Sequence, residues 1–255
     1  MRVYPFIFPD TTAILDVGCN VGALIGELSR RHPQARLAGV EINATALEVA
    51  RRNHPSADIR HSGAEAIPFP DASFDVVTCV EVLEHLPEPL RPAAFREMRR
   101  VLRPGGRLVM TVPHDGWFAW LDSNNVRFRL PGLYRAVVGR GRRDANYDAK
   151  GRTVEWHHHF TLAELHSLLG PGWRWVSVQH GGLFLYPLMD WLSWPFYRTN
   201  RVEHPVRKFF ERVGGWDYAV DFGSASYGIL IALERGDDDV ATPSPTKASL
   251  SGPSR

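Results

Sequence analysis

Through the first 113 residues, short apolar runs alternate with amphipathic stretches, the pattern of a βαβ sheet. Ala13–Val17 (AILDV) is an apolar run that stops at glycine. Gly22–Arg31 then carries Leu24, Ile25 and Leu28 on one side, as a helix would. Arg36–Ile42 (RLAGVEI) reads as a second strand, and Asn43 can cap a helix that turns Leu47 and Ala50 inward. Ala57–His61 is a weak third strand, and Phe74–Val80 (FDVVTCV) a strong, β-branched fourth. Pro89–Arg103 predicts a helix, with Leu90, Ala94, Met98 and Val101 on one face and Pro104-Gly105-Gly106 as its stop. Arg107–Val112 (RLVMTV) follows as a fifth strand. Successive short crossovers imply parallel strands.

The rhythm breaks at Trp117–Arg152, a stretch aromatic at its start and then rich in Arg and Gly. Between Arg127 and Arg152 there are eight Lys/Arg and two acids, Asp144 and Asp148. A helix resumes at Thr161–Leu169, where Thr161 and Glu164 have capping-box spacing and Gly170-Pro171 forms the stop. Trp173–Gln179 and Ser226–Leu233 read as a sixth and a seventh strand. Between them lies Gly181–Gly215, whose residues 183–197 are nearly all apolar and aromatic; Asp190 and two prolines argue against a spanning helix. Arg198, Arg201, Arg207, Lys208 and Arg212 follow. From residue 236 the chain has no apolar period and is expected to be a disordered tail.

At 255 residues the chain can bury a large core without staples. Two cysteines, Cys19 and Cys79, exclude a disulfide framework and suit a reducing compartment. A formal charge of +2 is too mild to indicate nucleic acid. The N-terminal residues show no signal-peptide pattern, so the cytoplasm is the expected location.

Chemistry concentrates at the first strand-to-helix turn, Asp16-Val-Gly18-Cys-Asn20-Val-Gly22. Glycine lets the backbone turn sharply and a ligand approach closely; Asn20 tolerates a left-handed conformation; and amides at the helix start favour a negative group. The plain alternative is a tight turn packing strand on helix. Glu41 ends the second strand, where an acid can accept hydrogen bonds from both hydroxyls of a ribose, or simply face a helix dipole.

Four motifs in order resemble those of the class I S-adenosylmethionine-dependent methyltransferases. ILDVGCNVG (14–22) is similar to the family's cofactor loop, and GVEIN (39–43) to its ribose-binding acid. GAEAIPFPDASFDVVTCVEVLEHL (63–86) resembles the adenine-side loop, fourth strand and following turn. LRPGGRLVMTVP (102–113) resembles the segment into the fifth strand, and Phe160–Leu165 extends the likeness. The resemblance implies a Rossmann-like, doubly wound α/β fold with a mostly parallel seven-stranded sheet, its antiparallel last strand beside the fifth. It implies S-adenosylmethionine as cofactor, held by Asp16, Gly18, Asn20, Gly22, Glu41, Ile42, Ala64, Glu65 and Glu81. Residues 1–235 are then one domain: a cofactor-binding half (12–116), a basic insertion (117–152), and a substrate-side half (153–235).

Two departures stand out. Gly63 occupies a position where relatives carry an Asp, which leaves Ala64, Ser62 or Glu65 to meet the adenine. The chain also enters its first strand almost at once, so Tyr4, Phe6 and Phe8 are candidates to cover the site.

Methyl transfer needs alignment, exclusion of water and, for a hydroxyl acceptor, a base. His114, directly after the fifth strand, and His85, after the fourth, are the candidate bases. Of the run 157–159, only His157 and His159 can share a face on an extended chain; no nearby Cys or paired carboxylate completes a metal site, so they are assigned, with Trp117, to the substrate. Segment 183–212 suits a surface that dips into an anionic membrane interface, a cover for an aromatic or lipid-tailed acceptor, or a cap buried on the sheet. The expected activity is methyl transfer to a small-molecule or lipid-linked acceptor at oxygen, with no metal and no nucleic acid. A non-catalytic binding protein of the same fold is the main alternative. An NAD-dependent oxidoreductase is disfavoured, because the loop lacks Gly-x-Gly-x-x-Gly.

Overall fold

A computed structural model describes residues 3–122, 125, 129–130, 132, 157–198 and 204–236. Most of the basic stretch 127–152, Arg201 and the tail beyond Gly236 lie outside the described residues. The described residues fall into two compact units. One is drawn from Met1–Val112, Leu162–Gln179 and Leu230–Arg255, the other from Pro113–Thr161 and His180–Ile229.

The sheet strands are β1 (Ala13–Val17), β2 (Arg36–Glu41), β3 (Asp58–His61), β4 (Phe74–Val80), β5 (Leu102–Pro113), β6 (Trp173–Gly181) and β7 (Gly228–Arg235). Their order is β3-β2-β1-β4-β5-β7-β6. The first five pair in parallel, and the sheet ends with antiparallel strands. β1 lies between β2 and β4 and is buried at every position, so residues on both of its faces are covered, which is why it reads as a nearly unbroken apolar run. The helices α1 (Ala23–Arg31), α2 (Ala44–Asn53) and α3 (Arg91–Val101) occupy the crossovers. The Asn43 side chain caps α2, accepting from the amides of Thr45 and Ala46.

Chain order reverses between β1 and β4, so their carboxyl ends form the switch point where an open α/β sheet takes its ligand. Register fixes what stands there: Asp16 pairs with Thr78 across β1 and β4, and Glu41 ends β2 beside them.

Three expectations change. The helix predicted over 89–103 is a short 3₁₀ turn, Glu88–Leu90, followed by α3, and β5 begins directly at Leu102. Pro104-Gly105-Gly106 therefore lies inside a strand. It forms a bulge between the pairs Phe74/Leu102 and Val76/Arg107, with Gly105 at φ 75°. Val3–Phe8 does not lie at the carboxyl edge. Phe6 joins the core with Ile14 and Leu28, Tyr4 meets the Arg31 guanidinium at the end of α1, and Phe8 lies under Arg107.

In the second unit, most of residues 183–197, for which the sequence pattern predicts no regular element, form α5 (Leu185–Arg198), after α4 (Leu162–Leu169) of the first unit. α5 packs on α6 (Pro205–Tyr218), which His204 caps. Pro205 at N1 has no amide to lose and suits a helix start. No helix among the described residues is long and apolar enough to cross a membrane.

Candidate functional site

The turn after β1 is built from three residues with positive φ: Gly18 at 72°, Asn20 at 48° and Gly22 at 86°. Gly22 is the cap, so α1 begins one residue later than its pattern predicts. A Cβ on Gly18 would run into Val82, and one on Gly22 into His54. Both glycines are thus required by packing as well as by φ. The turn's amides are directed inward: Gly18 and Cys19 donate to Val40 O at 2.9 and 3.0 Å, and Gly22 donates to Cys19 O. That geometry does not make a phosphate cradle, contrary to the expectation of amides presented to an anion. It suits a cofactor without phosphate.

The fourth amide of the turn, Asn20 N, donates to Glu41 Oε2 at 2.9 Å, and Asn43 N donates to Glu41 Oε1 at 2.6 Å. Each oxygen of the buried Glu41 carboxylate is therefore held by one backbone donor and keeps a lone pair for another. The next residue, Ile42, remains 44% exposed, an apolar surface left beside the acid.

Asp16 is buried below that turn, and its Oδ1 accepts from Thr78 Oγ1 at 2.8 Å. Burial pushes its carboxyl up to about 7, partly offset by the Thr78 bond and reinforced by the nearby Glu41 charge. A folded pKa above the unfolded one stabilises the protein at low pH, and that contribution is lost as pH rises through 7. Relative to Asp16→Asn, the cofactor-free wild type is expected to lose about 2–3 kcal/mol of stability between pH 5 and pH 8. Denaturant melts at both pH values check this; parallel curves for the two proteins would contradict it.

On the opposite side of Glu41, Ser62 N donates to the Glu41 carbonyl at 3.2 Å. Ala64 is buried, and the Glu65 carboxylate folds back over the Gly63 Cα, where a side chain at 63 would have to stand. The carboxylate missing at 63 is thus replaced in space by that of Glu65. Downstream, Arg100 anchors the loop by donating to the carbonyls of Ile67 and Phe69 while paired with Glu97, which itself accepts from Ile67 N. The sequence reading missed this clamp because Glu97 and Arg100 look like ordinary polar-face residues of α3.

At the end of β4, Glu81 has φ 53°, a conformation that costs a non-glycine residue roughly 1–3 kcal/mol. Its amide donates to Thr111 O and its carboxylate accepts from Thr111 Oγ1 at 2.7 Å, so β5 holds the strained residue in place. His85 closes a 3₁₀ turn, Leu83–His85, with its ring largely exposed and Nε2 3.7 Å from Glu84 Oε1. Cys19 and Cys79 are buried; burial pushes the Cys19 thiol up to about 12, so neither side chain is poised as a nucleophile.

The second unit holds the remaining candidates. His114 is buried, and its Nδ1 donates to the Ser226 carbonyl at 2.8 Å. A carbonyl can only accept, so the neutral ring carries its lone pair on Nε2. Trp117 is 74% exposed. His157 and His159 do share a side, with ring centroids 6.0 Å apart. A carboxylate absent from the sequence reading joins them: Asp122 Oδ2 lies 2.5 Å from His157 Nδ1 and 3.4 Å from His159 Nε2. Asp122 is 35 residues upstream of His157, in no pattern that spacing could reveal.

Residues 15–110 match a family model described as a methyltransferase domain. A methyltransferase-like protein of Schizosaccharomyces pombe is 28% identical over 209 residues, 82% of this chain and 75% of that protein. A ubiquinone biosynthesis O-methyltransferase of Hahella chejuensis is 35% identical over 127 residues, 46% of this chain and 52% of the relative. Of most curated relatives it matches, the chain spans about half the length, between 29% and 60%. Among solved structures, a SAM-dependent methyltransferase of Methanosarcina mazei shares the fold with a TM-score of 0.58 at 21% identity, covering 92% of this chain and 96% of that one.

Proposed function

We propose that this chain, whose residues 15–110 match a methyltransferase-domain model and whose motifs resemble those of the class I S-adenosylmethionine-dependent enzymes, transfers the cofactor's methyl group to an oxygen of a small-molecule acceptor. The observation that carries the reading is the Glu41 carboxylate, with each oxygen anchored by one backbone amide and free to accept one ribose hydroxyl. When bound, S-adenosylmethionine supplies an electrophilic methyl group on a sulfonium.

The chain's own residues bind, orient and deprotonate. Glu41 fixes the ribose, exposed Ile42 offers an apolar face to the adenine, and Glu65, lying over Gly63, accepts from the adenine amino group. Asp16, ionising near neutrality, provides charge for an amino-acid ammonium close to the inward-turned loop. The turn formed by Gly18, Asn20 and Gly22 leaves room for the cofactor's chain, and Glu81 is held at the end of β4 on the same side. His114 follows Pro113, the last residue of β5, and takes the acceptor proton at Nε2. Trp117, exposed three residues later, supplies an aromatic contact to the acceptor.

Of two Hahella chejuensis relatives one is named an O-methyltransferase and the other a C-methyltransferase, so the choice of oxygen rests on His114, a base placed for a hydroxyl acceptor. A lipid-tailed acceptor is favoured by the apolar surface of the second unit, where Phe209 is 60% and Trp216 69% exposed on α6, the helix that also carries Lys208 and Arg212. Such a surface suits peripheral contact with anionic lipid.

The test is calorimetric titration with S-adenosylmethionine, followed by labelled methyl transfer to a panel of phenols and catechols with and without a prenyl tail. Micromolar binding and labelled phenol ethers are expected. Binding without transfer to any member would move the reading to a non-catalytic binder, and no binding would sink it.

A further inference from the structure

We propose that Asp122, His157 and His159 form a binding site for one divalent transition-metal ion of the zinc class. Their potential donor atoms, one oxygen and two ring nitrogens, all lie within 4.8 Å of one another. The rings of His157 and His159 lie 6.0 Å apart, centroid to centroid, and stand nearly perpendicular at 85°. Asp122 Oδ2 lies between them, 2.5 Å from His157 Nδ1 and 3.4 Å from His159 Nε2.

All three side chains are buried, with 1% of Asp122, 9% of His157 and 6% of His159 exposed. His159 Nε2 is buried and makes no hydrogen bond among the described residues. Burying the His159 ring nitrogen without a hydrogen bond is unfavourable unless a further group completes the arrangement. A divalent cation does so: it takes the lone pair of each imidazole and neutralises the carboxylate, and the proton shared between Asp122 and His157 leaves to solvent.

The backbone around the cluster is fixed in advance. Asn125, fully buried, donates from Nδ2 to the His157 carbonyl at 2.8 Å and accepts from the His157 amide at 2.9 Å, bracketing that residue on both sides. The Trp191 indole donates to the Leu121 carbonyl at 2.5 Å, immediately before Asp122. Such supporting bonds are what a metal site needs to hold its ligands in place. The donor set decides the class of ion. Two imidazoles and one carboxylate suit zinc, cobalt, nickel or ferrous iron, whereas calcium and magnesium demand oxygen. Three protein ligands leave a position for water or an acceptor oxygen.

The proposal is independent of the methyl-transfer reading, because its test reads binding alone. Untagged, chelator-treated protein is titrated with Zn²⁺ by calorimetry and with Co²⁺ by visible absorption. One equivalent of Zn²⁺ is expected to bind at micromolar affinity or tighter, and Co²⁺ to develop a d–d band. His159→Gln and Asp122→Asn, checked for folding by circular dichroism, are expected to weaken binding at least 100-fold, while the neighbouring control His158→Gln leaves it unchanged. Wild-type binding no tighter than that of His159→Gln, or no Co²⁺ band, would overturn the proposal and leave a hydrogen-bonded triad. Should both site variants fail to fold, the wild-type melting temperature decides: a rise saturating at one equivalent of Zn²⁺ supports the site, and no rise refutes it.

Discussion

Replacing Glu41 by alanine is expected to raise the dissociation constant for S-adenosylmethionine about 100-fold, equivalent to about 2.7 kcal/mol. The reason lies in what the carboxylate does in the free protein. Its two oxygens already accept from Asn20 N and Asn43 N at 2.9 and 2.6 Å, so the group is oriented before the cofactor arrives. Little freedom remains to be lost when two ribose hydroxyls add their bonds. A hydrogen bond contributes roughly 0.5–1.5 kcal/mol net, with charged groups at or above the upper end, and alanine removes two. It also releases the Asn20 amide, loosening a turn whose left-handed residues need a fixed partner. Glu41→Gln keeps one acceptor oxygen and should lose about tenfold. Calorimetry on all three proteins, with melts to confirm folding, measures the series. Equal dissociation constants for wild type and Glu41→Ala would place the cofactor elsewhere.

The part of the molecule that the sequence made legible is the part where local pattern and global packing agree. β1, β2 and β4 read as apolar runs because both faces of a parallel sheet are covered. The residues of the first turn were visible because their conformations exclude most side chains, and Asn43 because a cap sits at a fixed offset from its helix. Legibility fails where tertiary context overrides the local signal. Pro104-Gly105-Gly106 has the composition of a helix stop, yet it is absorbed as a bulge because Leu102 pairs with Phe74 and pulls the strand start forward. Residues 183–197 carry two prolines and a continuous apolar character, with no polar face to set a period. Their helix is stabilised by packing on α6 rather than by pattern.

The same division runs through the site. Glu41 was legible as a strand-terminal acid, whereas the use of the turn's amides to stitch it onto β2 was not, since Val40 offers only a carbonyl. That detail bears on the choice of cofactor. A dinucleotide places a pyrophosphate on such amides, but here Gly18, Cys19 and Gly22 have already given theirs to carbonyls. Asp122 and Asn125 were invisible for another reason. They reach His157 only through a fold that closes a separation of 32 to 35 residues, and no periodicity encodes such a closure.

His114→Asn is expected to lower kcat by about 10²- to 10³-fold on any hydroxyl acceptor the wild type methylates, with the dissociation constant for S-adenosylmethionine unchanged. The ring's orientation is fixed at two points. Its Nδ1 donates to the Ser226 carbonyl at 2.8 Å, and its backbone amide donates to the Tyr227 carbonyl at 2.6 Å. Asparagine can reproduce the Nδ1 donor through its amide nitrogen, so the substitution removes the Nε2 lone pair while sparing the bond that anchors the residue. His180 lies edge-on at 5.5 Å, and burial lowers its pKa, so it stays neutral beside His114 at neutral pH and adds no positive charge there. A base that acts only as the acceptor loses its proton affects turnover and spares cofactor binding, so the loss should be confined to kcat. Retention of the rate in the variant would remove His114 from proton transfer and leave it as a residue that ties the segment after β5 to Ser226.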